Sequence, residues 1–294
     1  MRSNIDERWH KVAKAGGSQT ISKISAESAD AYLLSESSLF VWDDSVLMVT
    51  CGRTSLISAL PEILNIVDRD KVAFIFYERK NFMFPHEQPS DFESDAARLL
   101  KFFPGKSYRL GPANHDHLHV FYWAHPHAVP EPDATFQVLM NDLPPSVMDM
   151  FCQETADTPA QAEKRSGLEK FYPREAVRDS HLFLPSGFSM NGIFRGKYFT
   201  IHVAPQSRSS YASFETNIIE TDYSGTIQEM VSVFRPGKFS IALTTSMDDH
   251  FLSLHSTVAN VLSGYSMTEK SLYKFDCGYT ITFLNYIKNK DEDL

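Results

Sequence analysis

Cysteine is scarce in this chain. Three occur in 294 residues, Cys51, Cys152 and Cys277, and no two stand at metal-ligand spacing. An odd, dispersed set argues against a disulfide scaffold and for a reduced compartment, so a cytoplasmic location is expected. No run approaches the ~18 apolar residues of a membrane span. Residues 1–17 are charged and lack the apolar stretch of a signal peptide, so no membrane partner is expected. Basic charge is also short. Lys and Arg number 28 against 37 Asp and Glu, a net charge of −9. A nucleic-acid surface needs clustered Lys and Arg, so none is expected. What is present is an ordinary globular balance, 43% hydrophobic and 22% charged, with material for one large domain or two small ones.

Periodicity gives the organisation. Residues 7–14 read as a short helix stopped by Gly16-Gly17. Strands are expected at 18–24 and 30–35, and a hairpin over 38–50 turns at Asp43-Asp44. Helical spacing runs from Thr54 to Asp68, with Pro61 inside it as a kink or break. A strand at 72–77, a helix at 91–103 and strands at 106–110, 117–124 and 135–141 follow. Residues 153–167 are polar and poor in apolar anchors, and read as a surface loop. Strands near 181–184, 197–203 and 210–217, a helix at 226–234 and a strand at 238–244 complete the pattern. Phe102-Phe103-Pro104-Gly105-Lys106 and Phe234-Arg235-Pro236-Gly237-Lys238 share F-x-P-G-K between a helix and a strand, which hints at an internal duplication. Amphipathic helices with many strands imply an α+β fold, two antiparallel sheets face to face with helices outside.

The chemistry-bearing segment is Leu34-Ser35-Glu36-Ser37-Ser38. On composition it is a strand with a polar turn. Further blocks follow in order: Thr50-Cys51-Gly52-Arg53-Thr54, Phe76 to Phe82, Gly187-Phe188-Ser189-Met190-Asn191-Gly192, Tyr198 to His202, Ser213 to Asn217 and Phe234 to Phe239. Together they resemble the eukaryotic-type S-adenosylmethionine decarboxylase proenzymes, over about residues 9 to 290. The resemblance implies a four-layer α/β/β/α sandwich, one domain over 1–294 and a homodimer. It implies self-cleavage into chains 1–36 and 37–294, with Ser37 becoming a pyruvoyl cofactor that forms a Schiff base with the substrate amine. The implied product is decarboxylated S-adenosylmethionine for polyamine synthesis.

Roles follow by position in the resemblance. Ser37 attacks the Glu36 carbonyl; Ser189 and His202 assist, with His202 the base for the elimination; Cys51 donates a proton to the product. A histidine suits proton abstraction near neutral pH. Leu34, Phe183, Gln206 and Glu215 would border the substrate, Phe183 by stacking on the adenine. Gly264-Tyr265-Ser266-Met267 echoes the Ser189 block but lacks its Asn-Gly, so Ser266 is set aside.

Three departures from the family stand out. Trp9 matches a family tryptophan 28 residues before the processing serine, and the family segment preceding it, resembling F-E-G-x-E-K, is absent from this sequence. Gln206 stands where the family has a glutamate on the ribose hydroxyls, and an amide lacks that charge. In the diamine site, Asp133 and Thr135 match while Gln137 replaces a glutamate, so weak putrescine activation is expected. These losses keep two alternatives open: a pyruvoyl decarboxylase of another amino acid such as ornithine or arginine, or a non-catalytic regulatory paralogue. His115, His117 and His119 alternate as one strand face, with His125 and His127 beyond, and Asp116 would face away. An exposed polar strand is preferred to a metal site there, and no metal is expected.

Overall fold

A computed structural model describes residues 6–52, 54–128, 132–171, 173–206, 209–247, 249–259 and 262–290. The chain opens with α1 (Asp6–Ala15), β1 (Thr20–Ser25), β2 (Asp30–Leu34), β3 (Ser37–Val41) and β4 (Val46–Thr50). Then come α2 (Leu56–Leu64), β5 (Phe74–Lys80), α3 (Phe92–Leu99), β6 (Lys106–Leu110), β7 (Leu118–Ala124) and β8 (Ala134–Asn141). The second half holds α4 (Pro145–Met148), α5 (Pro159–Ser166), β9 (Val177–Leu182), β10 (Phe188–Phe194), β11 (Lys197–Ala204) and β12 (Tyr211–Thr216). It ends with α6 (Ser224–Phe234), β13 (Lys238–Ser246), α7 (Asp249–Leu252), α8 (Leu254–Thr257), β14 (Tyr265–Lys274) and β15 (Tyr279–Lys288).

Alternation along the strands sorts side chains into four layers. An eight-stranded antiparallel sheet has the order β14-β15-β13-β8-β12-β11-β10-β9. One face of it carries Phe136, Val138, Met140, Ile201 and Phe214, packed under Ile227, Met230 and Phe234 of α6 and Leu254 of α8. Its other face meets two smaller sheets. Ala31 and Phe40 of the β1-β2-β3-β4 sheet pack on Ile193 and Tyr198. Leu118, Val120 and Tyr122 of the β5-β7-β6 sheet pack on Ile281 and Phe283. Outside these lie α1 and α2, with Trp9, Val12 and Ala59 on Leu39 and Val41. Phe92 and Leu99 of α3 cover Tyr77 and Phe121. The result is α/β/β/α, and each fully buried large side chain contributes about 1.5–3 kcal/mol.

The expected second sheet is divided. β4 and β5 are separated by α2, so the four- and three-stranded sheets lie in one layer as separate ladders. Pro61 sits inside α2 without ending it. Residues 153–167 are not all loop. Thr158 caps the Gln161 N–H, Pro159 opens α5, and Gly167 ends it at φ 83°. Caps define this helix where apolar spacing is thin, Ala162 being its buried residue. The F-x-P-G-K echo occupies the same place twice, from α3 into β6 and from α6 into β13.

Candidate active site

The β10–β11 hairpin turns on two residues, Arg195 and Gly196, with φ of 49° and 79°. Positive φ at both positions marks the tight turn whose twist suits a hairpin. It fixes the register, and the register sets Ser189 directly opposite His202. Ser189 Oγ lies 2.9 Å from His202 Nδ1. On the other side of the ring, Nε2 lies 2.9 Å from Ser38 Oγ and 3.2 Å from Thr200 Oγ1.

Asn191 decides which nitrogen holds the proton. Its amide donates to the Tyr32 carbonyl (3.1 Å), so its Oδ1 faces Ser38 and Thr200. Ser38 donates to that oxygen at 2.6 Å, and Thr200 donates to it or to the Met190 carbonyl, each at 3.0 Å. Having spent their protons there, both hydroxyls accept from His202 Nε2–H. Nδ1 is then the basic nitrogen and accepts the Ser189 hydroxyl. Burial lowers the His202 pKa to about 4, so the ring is neutral at pH 7.

The Glu36–Ser37 bond lies where β2 turns into β3 through Ser35 and Glu36. The loop is tied down by Ser35 N–H on the Gln19 carbonyl (2.9 Å) and Gln19 N–H on Ser35 Oγ (3.1 Å). The Glu36 carbonyl accepts two donors from one residue, Cys51 N–H at 3.0 Å and Cys51 Sγ–H at 3.2 Å. Gly52 makes that approach possible. Its φ is 70°, and a Cβ there would lie 2.8 Å from the Glu36 carboxylate. Burial, and then the Glu36 charge, raise the half-buried Cys51 thiol to about 12. Ser37 and Ser38 point to opposite faces of β3, as neighbours in a strand must. Ser38 faces His202, whereas Ser37 Oγ faces Ser18 Oγ at 2.9 Å.

The residues expected at the substrate fall in different places. Leu34 is fully buried in the core beneath α1 and α2. Phe183 is half-buried in the β9–β10 connection, edge-on to His181 at 4.7 Å, and His181 pairs with Ser189. Gln206 is exposed just beyond β11. Glu215 is buried and accepts the Tyr198 hydroxyl at 2.6 Å. It pairs across the ladder with Gln137.

The family model for adenosylmethionine decarboxylase matches residues 1–287. The chain belongs to that family. The S-adenosylmethionine decarboxylase proenzyme of Dictyostelium discoideum is 30% identical, covering 97% of this chain and 77% of that protein. The proenzyme of Xenopus laevis is 32% identical over 95% of this chain and 86% of its own length. Among solved structures, the Trypanosoma brucei AdoMetDC-delta26 monomer superposes with a TM-score of 0.69 at 23% identity. It covers 86% of this chain and 99% of that one, which shows the fold.

Several residues of this cluster were not singled out by sequence. Ser38, Asn191 and Thr200 lay inside matching blocks, but their convergence on His202 is a tertiary fact. Glu78 is the largest omission. It projects from β5 between the layers, accepting Gln137 Nε2–H and the Thr244 hydroxyl, each at 2.8 Å. Gln137, Glu215 and Glu78 thus form one group with Asp133 and Thr135 nearby on the β8 side. Burial raises the pKa of Glu78 and Asp133, and that of Glu215 to about 7. The histidine face is corrected. β7 begins at Leu118, so only His119 of the first three lies on it. His119 stacks on Phe92 (4.5 Å) and meets His117 at 3.1 Å between Nε2 atoms. Asp116 pairs with Lys80 (2.6 Å) and Lys238 (3.0 Å).

Proposed function

We propose that this chain cuts itself between Glu36 and Ser37 and then decarboxylates S-adenosylmethionine with a pyruvoyl group made from Ser37. The observation that carries the reading is the Glu36 carbonyl held by both donors of Cys51, with a neutral His202, paired with Ser189, on Ser38 two residues further along. Ser37 Oγ attacks the Glu36 carbonyl carbon. The C–N bond breaks, the hydroxyl proton ends on the freed nitrogen, and an ester replaces the amide. Negative charge on the carbonyl oxygen is offset by Cys51 N–H and S–H, and one such donor is worth about 2.7–4 kcal/mol elsewhere. His202, neutral and with Nδ1 basic, takes the Ser37 Cα proton, and the Glu36 carboxylate departs. The dehydroalanine left behind gives up ammonia to water.

The surroundings fit the group so formed: residue 37 is buried, its side chain against Ser18 and its backbone paired with Thr50, the neighbour of Cys51. A pyruvoyl carbonyl supplies the electron sink that loss of CO2 requires. Cys51 keeps its proton at neutral pH, which is what a donor to the product carbon needs. The same reading takes the enzyme as a cytoplasmic homodimer, which sedimentation of the purified protein tests. Intact mass tests the cleavage. Chains of residues 1–36 and 37–294 are expected, the larger with a blocked N-terminus, and Ser37→Ala stays whole. A wild type that remains intact after long incubation overturns it.

A further inference from the structure

The nucleophile's hydroxyl does not face the histidine. Its hydrogen-bond partner is Ser18, at 2.9 Å, and Ser18 Oγ lies 2.7 Å from Thr54 Oγ1. All three hydroxyls are buried: Ser37 at 0%, Ser18 at 2% and Thr54 at 8% exposure. Ser18 comes from outside the four-stranded sheet, and the backbone is built to bring it there. Helix α1 ends at Ala15, and Gly17 reverses the chain at φ 90°, a conformation that favours glycine. Ser18 N–H then bonds the Ala13 carbonyl at 2.9 Å, and Ser55 N–H bonds the Gly16 carbonyl at 2.9 Å. The second contact fixes the start of α2, and so Thr54, against the same turn. Two helix ends thus clamp a hydroxyl pair over Ser37.

We propose that Ser18, held by Thr54, is a positioning residue for self-cleavage, orienting Ser37 Oγ toward the Glu36 carbonyl. A hydroxyl has one proton to donate and two lone pairs to accept with. Both contacts allow either direction; the role assigned to Ser18 is the one in which it gives its proton to Thr54 and accepts that of Ser37, leaving a Ser37 lone pair directed away from Ser18. Ser18 neither gains nor loses a proton overall, because the Ser37 proton ends on the amide nitrogen. His202 acts on the other face, at the elimination. The two steps therefore use separate groups, and the inference rests on the self-cleavage reading.

The test follows cleavage of freshly purified, uncut protein on gels, with and without hydroxylamine, which cuts an accumulated ester. Ser18→Ala is expected to cleave about tenfold more slowly, with no ester for hydroxylamine to trap. Ser18→Thr, which keeps the hydroxyl, is expected to recover most of the rate. Thr54→Val, nearly isosteric, slows cleavage to a lesser degree and guards against a Ser18→Ala chain that fails to fold. A wild type that never cuts defeats the self-cleavage reading itself. A wild type that cuts, with Ser18→Ala and Thr54→Val cutting at its rate, overturns only the role of Ser18. Slow cleavage with an ester that hydroxylamine traps also overturns it, because Ser18 would then act on the elimination.

Discussion

At the scale of single residues, hydrogen-bond direction does more than proximity. Asn191, with the Met190 carbonyl, absorbs the protons of Ser38 and Thr200 and so leaves His202 basic at Nδ1. With its pKa lowered to about 4, His202 is neutral across the physiological range. The cleavage rate is expected to be flat from pH 6 to 8 and to fall only as the pH approaches the lowered pKa, where the ring takes up a proton. Gel time courses at four pH values check this, and a rate that halves between pH 7.5 and 6.5 contradicts it. Gln206 allows a second residue-scale expectation. An amide on the ribose makes a neutral bond worth ~0.5–1.5 kcal/mol, against ~1.5–3 for a charged one. Gln206→Glu should therefore raise kcat/KM for S-adenosylmethionine about tenfold, mostly through KM. An unchanged value with either residue would mean that this exposed side chain does not reach the ribose.

The hairpin of β10 and β11 shows what an element contributes. Ser189 and His202 meet because a two-residue turn leaves no slack in the register. Arg195 occupies a left-handed position that asparagine or glycine takes more readily. Arg195→Asn should stabilise the fold by about 0.5–1 kcal/mol, visible as a raised Tm, with the cleavage rate held. A lowered Tm would show that the Arg195 side chain matters more than its backbone. This same hairpin was only half legible in the sequence. β11 alternates and was expected at 197–203, whereas Phe188 to Phe194 mixes Ser, Asn and Gly with apolar residues and gave no strand signal. Its polar side chains face a buried polar centre, so the usual contrast between core and solvent is missing. α5 escaped for the opposite reason, being defined by its caps, and the polar edge strand β14 went unassigned. The Leu34-Ser35-Glu36-Ser37-Ser38 block reads on composition as a strand with a polar turn, and the family resemblance alone marked it for cleavage. Ser18, Glu78 and Asn191 were not legible, because Ser37, Thr244 and Tyr32, which give them their places, lie 19 to 166 residues away.

Across the whole molecule, the division of the second sheet layer places charge where it is costly. β5 brings Glu78 against the eight-stranded sheet, where Glu215 is already buried and Asp133 is half-buried just before β8. Neutral donors satisfy them: Gln137 and Thr244 on Glu78, Tyr198 on Glu215. Lys197 is the cation that acts on Asp133, lowering what burial raises. For Glu215, with a folded pKa of about 7 against an ordinary 4.5, the folded state binds more protons than the unfolded one between these values. Stability therefore falls as the pH rises from about 4.5 through 7. Glu215→Gln removes the buried charge and should raise Tm more at pH 8 than at pH 5. A diamine reverses the cost, since a dication favours the ionised carboxylates. Below pH 7 a protonated Glu215 offers it little, and Gln137 contributes no charge at any pH. Putrescine at millimolar concentration should then change Tm and decarboxylation weakly at pH 6.5 and more at pH 8, with Gln137→Glu enlarging the effect at both. Thermal shift and CO2 release with and without the diamine check this. A response as large at pH 6.5 as at pH 8 would mean that the dication keeps Glu215 ionised there despite its burial.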